Sequence, residues 1–282
     1  MIHLNNKYIR LQEILRQMGQ IVVAYSGGVD SAFLLKVSTD ILGENALGIL
    51  AISPTYPSRE YEKAKNLAAQ MGARLHIIQT HEMEKEEFLK NPVNRCYFCK
   101  SELFDRIIEL AGSGSYTNLA DGSNIDDLDD HRPGRKALKE RGVRSPLQEA
   151  GLTKEEIRVL SKELGLPTWN KEALACLSSR FPYGERIDIK NLKMADSFEN
   201  YLRDLGFTQI RARHQGETLK IEVDETEIKR FFSDSLRKKI ISKAKETGYH
   251  YVTVDLEGYR QGNLNKVLEK SPQPGRANLR GA

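Results

Sequence analysis

The stretch Ile21-Val22-Val23-Ala24-Tyr25-Ser26-Gly27-Gly28-Val29-Asp30-Ser31 decides the reading of this chain. Its first five residues form an uninterrupted apolar run, as in a strand buried on both faces. A glycine pair ends the run, and Ala32, Phe33, Leu34, Leu35 and Val37 start a helical pattern at once. Gly27 and Gly28 let the backbone turn tightly and approach a ligand with no Cβ in the way. The free N–H groups at the start of the following helix favour an anion, above all a phosphate. Ser26 and Ser31 add hydroxyl donors, and Asp30 suits the Mg²⁺ that accompanies a phosphate. A Walker loop would need Lys-Ser or Lys-Thr after its second glycine, and this loop has neither.

Working outward, 282 residues suffice for one large domain or two smaller ones. Hydrophobic residues make up 39% and charged residues 29%, as expected of a soluble globular protein. No apolar run approaches the roughly 20 residues of a membrane helix. The opening Met1-Ile-His-Leu-Asn-Asn-Lys lacks a signal-peptide pattern, so the expected location is cytoplasmic. A net charge of +4 suits an anionic substrate without requiring nucleic acid. Three cysteines, an odd number, argue for metal or redox chemistry over a disulfide framework.

The periodicity predicts helices over 4–18, from the glycine turn to about 42, and over 58–71, 82–90, 99–110 and 153–164. Strands are expected over 21–25, 46–53, 74–79 and 116–121. Thr153-x-x-Glu156 is a capping box, and Gly165 closes that helix. Strands alternating with helices imply an α/β fold with a parallel, Rossmann-like sheet covered on both faces. Ligands bind such sheets beyond the carboxyl ends of the strands, where Ser26 and Asp121 fall. The pattern changes near residue 181. A helix over 191–205, paired strands over 208–213 and 218–223, helix within 225–247 and a strand over 249–255 make a smaller α+β unit, with its hairpin turn at Arg213–Glu217. The expected organisation is thus 1–180, 181–270, and a disordered tail over 271–282 rich in Pro, Gly and Arg.

Cys96-Tyr-Phe-Cys99 stands just before a helical pattern, and Cys176 lies far downstream in Ala-Cys-Leu-Ser-Ser-Arg. Three thiolates suit zinc completed by a histidine, or an iron–sulfur cluster with one iron left open. No histidine follows at finger-like spacing; a buried thiol pair with an unrelated Cys176 is the alternative. Asp121, Asp126 and Asp127 follow the fourth strand, where carboxylates bind Mg²⁺ or fix a ribose; Asp129 and Asp130 read as solvated. His131, Arg132, Arg135 and Lys136, with Arg141 and Arg144, gather positive charge for carboxylate or phosphate recognition, or form a basic helix surface. Ser178, Ser179 and Arg180 suit an active-site loop that also links two domains. Arg211 and Arg213 alternate along a strand and so share a face. They would grip an anionic substrate or pair with Glu222 on the neighbouring strand. Trp169 reads as a packed aromatic.

Ser-Gly-Gly-Val-Asp-Ser at 26 resembles the PP-loop of ATP pyrophosphatases, which cleave ATP to AMP and pyrophosphate. Together with NRCYFCK at 94, ADGSNIDD at 120, HRPGRKA at 131, GVRSPL at 142 and ACLSSRFPYG at 175, it resembles the LarE-type ATP-dependent sulfur transferases. These mature the nickel-pincer nucleotide of lactate racemase. The resemblance implies an ATP-binding domain, a smaller carboxyl-terminal domain and a homo-oligomer. The implied substrate is a pyridinium biscarboxylate mononucleotide whose carboxylates become thiocarboxylates through an acyl-adenylate, with release of AMP and pyrophosphate. Relatives with one active-site cysteine surrender its sulfur and are left with dehydroalanine. Cys96, Cys99 and Cys176 match the three-cysteine branch, which resembles thiouridine-forming enzymes carrying a [4Fe–4S] cluster.

The site expected on these grounds takes ATP and Mg²⁺ at Ala24, Ser26, Gly27, Gly28, Asp30, Ser31, Ser53, Asp121, Gly122 and Asp126. Its catalytic residues are Cys176, Asp30 and Ser179. Arg180, Arg211, Arg213 and Glu222 would bind substrate, and Cys96, Cys99 and Cys176 would hold the cluster, supplied by a sulfide donor. The competing readings are a tRNA thiolase, sacrificial transfer from Cys176, an amide-forming synthetase with zinc on the cysteines, and a non-enzymatic nucleotide sensor or metal carrier.

Overall fold

The computed structural model describes residues 2–112, 117–128, 133–172, 175–260 and 262–265. Tyr116, Asp129 to Arg132 and the segment 271–282 lie outside the described residues. The chain divides into two compact units, Met1–Asp196 and Ser197–Ala282.

The first unit is organised on the apolar run. After α1 (Ile2–Met18), that run is β1 (Ile21–Tyr25), followed by α2 (Val29–Leu42), β2 (Ala46–Ile52), α3 (Ser58–Gln70) and β3 (Arg74–Gln79). Then come α4 (Glu86–Leu89), α5 (Arg95–Gly112), β4 (Leu119–Ala120), α6 (Gly134–Glu140), α7 (Pro146–Glu149) and α8 (Lys154–Glu163). The four strands are parallel in the order β3-β2-β1-β4, with Val22 opposite Leu119 and Tyr25 opposite Leu50. Each face is buried, so β1 needs no polar alternation. Ile21, Val23 and Tyr25 pack with Phe33 and Leu34 of α2, Leu11 and Leu15 of α1 and Ile157 of α8. Val22 packs the other way, with Ile49, Phe104 and Ile107 of α5 and Leu138 of α6.

Local chemistry sets several boundaries. Thr153 caps α8 by accepting the Glu156 N–H at 3.2 Å, and Glu156 returns a carboxylate to the Thr153 N–H at 2.9 Å. The expected strand over 116–121 shrinks to Leu119–Ala120, because only the Val22 and Val23 positions of β1 pair with it. The helix expected over 82–90 breaks into a single turn at Glu82–Glu84 and the short α4.

Helix α9 (Ile189–Asp204) runs through the division between units. Residues beyond 181 belong to the first unit because Phe181, Ile187 and Leu192 are buried with Phe88 and Leu177. The second unit holds β5 (Arg211–Gln215), β6 (Thr218–Glu222), α10 (Asp234–Thr247) and β7 (Tyr251–Val254). Strands β5 and β6 form an antiparallel hairpin, and β7 joins β6 in parallel. No helix among the described residues is long and apolar enough to cross a membrane.

Removing the capping hydroxyl with Thr153→Ala should cost about 1 kcal/mol, read as a lower denaturation midpoint with an unchanged slope.

Candidate functional site

At the carboxyl end of β1 the chain turns at Gly27, whose φ is +67°. A side chain there is excluded twice. The left-handed conformation disfavours it, and an added Cβ would lie 2.6 Å from Ala64 Cβ on α3. Ser31 closes the turn: its Oγ accepts the Ser26 N–H at 3.1 Å and lies 3.1 Å from Ser26 Oγ. The backbone then enters α2 at Gly28, which has no side-chain cap, so the first N–H groups of α2 remain available to an anion. Ala24, two residues before Ser26, packs on the cluster that holds Phe104 and Ile107 of α5.

Asp30 stands one residue into α2 and is not free. It accepts from Asn124 Nδ2 at 3.2 Å and pairs with Lys154, the first residue of α8. Asp126 in turn accepts the Lys154 N–H at 2.8 Å. Asp121 is buried and accepts from Ser123 Oγ at 2.6 Å and Ser145 Oγ at 2.7 Å. Gly122 passes so close to α2 that a Cβ would lie 2.9 Å from the Ser31 nitrogen. Two lysines absent from the sequence reading, Lys154 and Lys171, therefore flank the turn. Lys171 donates to the Gly27 carbonyl at 2.8 Å and pairs with Glu60 at 2.6 Å.

The cysteines arrive from two segments. Cys96 and Cys99 lie inside α5, which starts at Arg95, and not before it. Three residues apart, they share one helix face. Asn91 pins their segment to that of Cys176: its Nδ2 donates to the Phe181 and Pro182 carbonyls at 3.3 and 2.6 Å, and its own carbonyl accepts the Gly184 N–H at 2.9 Å. The guanidinium of buried Arg95 lies 5.2 Å from the centre of the Tyr183 ring. Burial pushes the Cys99 thiol well up, and the nearby charges of Glu82, Cys176 and Cys96 add to that.

No disulfide joins Cys96, Cys99 or Cys176. They fit an iron–sulfur group in kind and number of donors. They do not stand as a preformed centre: among the described residues no group of three or more His, Cys, Asp or Glu is arranged to hold a metal ion. Cys99 packs on the apolar cluster of Phe88, Leu177 and Phe181, while Cys96 and Cys176 are exposed.

Consecutive residues join the glycine turn to the cysteine segment. The Thr55 carbonyl accepts the Leu177 N–H at 2.8 Å, and the Tyr56 hydroxyl donates to the Ser26 carbonyl at 3.0 Å. Burial pushes the Tyr56 phenol up, with Glu60 adding to it, so it stays a donor. Ser53, at the end of β2, belongs to the same turn and accepts the Thr55 N–H at 3.2 Å.

Arg180 is 2% exposed and donates to the Ala175 and Cys176 carbonyls at 3.0 and 2.9 Å and to Ser179 Oγ at 2.9 Å. It braces the Cys176 loop from beneath. Ser179 Oγ donates to the Cys176 carbonyl at 2.9 Å. In the second unit, Arg211 and Arg213 are both buried. Arg213 donates twice to Glu222, at 3.0 and 2.7 Å, and Arg211 donates to the Ile210 carbonyl at 2.7 Å and to the Tyr259 hydroxyl at 3.2 Å. Glu222 lies opposite Arg211 in register yet bonds Arg213, a diagonal that sequence spacing does not reveal. Sequence reading also passed over Glu199, fully buried, which accepts the Ala212 N–H at 3.0 Å. Arg141, read as an anion binder or as part of a basic helix surface, pairs with Asp105 at 2.7 and 2.9 Å.

A glycine turn that ends a central parallel strand and opens a helix is the architecture of a PP-loop nucleotide-using domain. The family model described as NAD synthase matches residues 4–95. The chain is 45% identical over 267 residues to an uncharacterised protein of Synechocystis sp., covering 95% of this chain and all of that one. It is 35% identical over 274 residues to the pyridinium-3,5-bisthiocarboxylic acid mononucleotide synthase of Lactiplantibacillus plantarum, covering 96% of this chain and 98% of that enzyme. An uncharacterised protein of Methanocaldococcus jannaschii is 30% identical over 257 residues, 90% of this chain and 97% of that one. The chain belongs to the family of the pyridinium-3,5-bisthiocarboxylic acid mononucleotide synthase, a family of enzymes.

Gly27→Ala is expected to weaken ATP binding about tenfold or more and to lower Tm, because the left-handed strain of ~1–3 kcal/mol adds to the Ala64 clash. Titration calorimetry and thermal melting read the two effects. Burial by itself raises the Glu60 pKa, but the bonds and charges of Lys171 and Lys63 outweigh it and hold the carboxyl below its ordinary 4.5. A depressed folded-state pKa gives stability that is present above the ordinary value and lost as pH falls through the depressed one. Glu60→Gln should therefore flatten the acid limb of the Tm–pH profile below pH 4.5 while leaving the profile's shape above it unchanged.

Proposed function

We propose that this enzyme uses ATP to insert sulfur into the carboxylates of a pyridinium biscarboxylate mononucleotide, the substrate class that its Lactiplantibacillus relative's name points to. The observation that carries the reading is the Thr55–Tyr56 bridge, which hangs the glycine turn and the Cys176 segment from one loop. Activation and sulfur delivery then share one edge of the sheet.

The chemistry requires this proximity. A carboxylate resists nucleophiles, so its oxygen first attacks the α-phosphorus of ATP and pyrophosphate leaves. A sulfur nucleophile then adds to the acyl carbon, and AMP leaves with the carboxylate oxygen. Donors fixed in advance where charge develops contribute most in a site of low dielectric. Here those are the N–H groups at the start of α2, Ser26, Ser31 and the Gly27–Gly28 backbone. Asp30 would be the carboxylate that holds the Mg²⁺ accompanying ATP, and Lys154, paired to it here, would supply positive charge beside the phosphates. Buried Asp121 presents a fixed carboxylate to the ribose edge. A [4Fe–4S] cluster bound by Cys96, Cys99 and Cys176 would supply the sulfur. Asn91 and Arg180 hold the two cysteine segments in place, and Ser179 orients the Cys176 backbone. Arg211, Arg213 and Glu222 are a candidate anion site of the second unit in its own right.

Asp30→Ala should abolish substrate-dependent pyrophosphate release. Replacing any one of the three cysteines by Ala should remove most iron from anaerobically purified protein and abolish sulfur transfer, yet leave ATP affinity within about twofold, since the phosphate turn lies in a separate loop. Zinc in place of iron would overturn the cluster. So would dehydroalanine at Cys176 after one turnover, seen by mass spectrometry, and that result would establish sacrificial transfer.

A further inference from the structure

The structure assigns to Glu82 a positioning role: its buried carboxylate fixes the 53–56 turn from which both the nucleotide loop and the Cys176 segment are suspended. The inference rests on the sulfur-transfer reading only for what the turn serves.

Glu82 is 1% exposed and sits in the short turn after β3. One of its oxygens, Oε1, takes both the Ser53 hydroxyl and the Thr55 hydroxyl, the latter at 3.0 Å. The two hydroxyl oxygens also lie 2.9 Å from one another, so Ser53, Thr55 and the carboxylate form one closed hydrogen-bonded group. Ser53 Oγ accepts the Thr55 N–H. The turn is locked from within, and its outward groups face opposite neighbours: the Thr55 carbonyl receives Leu177, and Tyr56 reaches Ser26.

Glu82 Oε2 is buried and has no hydrogen-bond partner among the described residues. A half-satisfied buried carboxylate is costly, and a neutral amide would hold the same two hydroxyls without the charge. The carboxylate is thus sealed from solvent beneath the turn that follows β2. It acts through Thr55, and so is a positioning residue.

The test compares Glu82→Ala with Glu82→Gln in the full-length, reduced protein, with two readouts that need no sulfur acceptor. One is the equilibrium affinity for MgATP. The other is the rate of Cys176 alkylation by iodoacetamide, followed by mass spectrometry of its peptide. Loss of the two hydroxyl anchors in Glu82→Ala should change both by about tenfold, the worth of a hydrogen bond to a charged group. Glu82→Gln, which keeps an acceptor in place, should restore both to within about twofold of the unaltered protein. An alanine variant that melts normally with both readouts unchanged overturns the proposal. So does a glutamine variant as impaired as alanine, because charge and not anchoring would then be at work. If Glu82→Ala fails to fold, Thr55→Val decides. It keeps the carbonyl that holds Leu177 but removes one anchor; altered Cys176 alkylation supports the proposal and an unaltered rate rejects it. Failure of the enzyme to thiolate a pyridinium substrate would leave both readouts intact and would count only against the reading above.

Discussion

The close approach of α3 to the end of β1 constrains everything at the carboxyl edge of the sheet. With Ala64 Cβ 2.6 Å from where a residue-27 Cβ would stand, the backbone itself packs against the helix. This contact brings the 53–60 segment over the glycine turn. Tyr56 then reaches the Ser26 carbonyl, Lys171 reaches the Gly27 carbonyl, and Glu60 holds Lys171 from α3. The Tyr25 hydroxyl, kept protonated by burial, seals the same contact by donating to the Ala64 carbonyl at 2.9 Å. A preorganised phosphate site follows from packing, because the donors need no reorganisation when charge arrives.

Two kinds of order meet at this edge. The nucleotide side is built from backbone at strand and helix ends, which the sheet fixes rigidly. The thiol side joins the start of α5 to the loop of Cys176, and the two segments need ties. Asn91, Arg180 and the apolar cluster of Phe88, Leu177, Phe181, Ile187 and Leu192 supply them. Arg180 shows how a charged residue in an active-site motif serves as scaffold: its guanidinium satisfies the carbonyls of its own loop, which a buried turn cannot leave bare.

The ion pairs of the two units, taken separately, divide by burial. Arg213 and Glu222 are nearly sealed from solvent, so either partner left alone would be an uncompensated buried charge. The Lys154–Asp30 pair is only part-buried and can be exchanged.

Much of this was legible in the sequence, and the reason is local. The apolar run, the glycine pair and the Thr153–Glu156 capping box act through neighbouring residues, so β1, α2 and α8 are read directly from residue order. Glycines at a strand end announce a phosphate turn because only they tolerate its backbone. Long-range partners carry no such signal. Nothing in the sequence places Lys154 on Asp30, Lys171 on Gly27 or Glu82 beneath Thr55, since separations of 124, 144 and 27 residues are closed only by folding. The positions of Cys96 and Cys99 inside α5 also depended on tertiary structure, because Arg95 is drawn into the helix by its contacts with Asn91 and Tyr183. Residue order determined the nucleotide turn and the fold class. Tertiary structure decided which charges meet, because burial and hydrogen bonding select partners that sequence spacing does not encode.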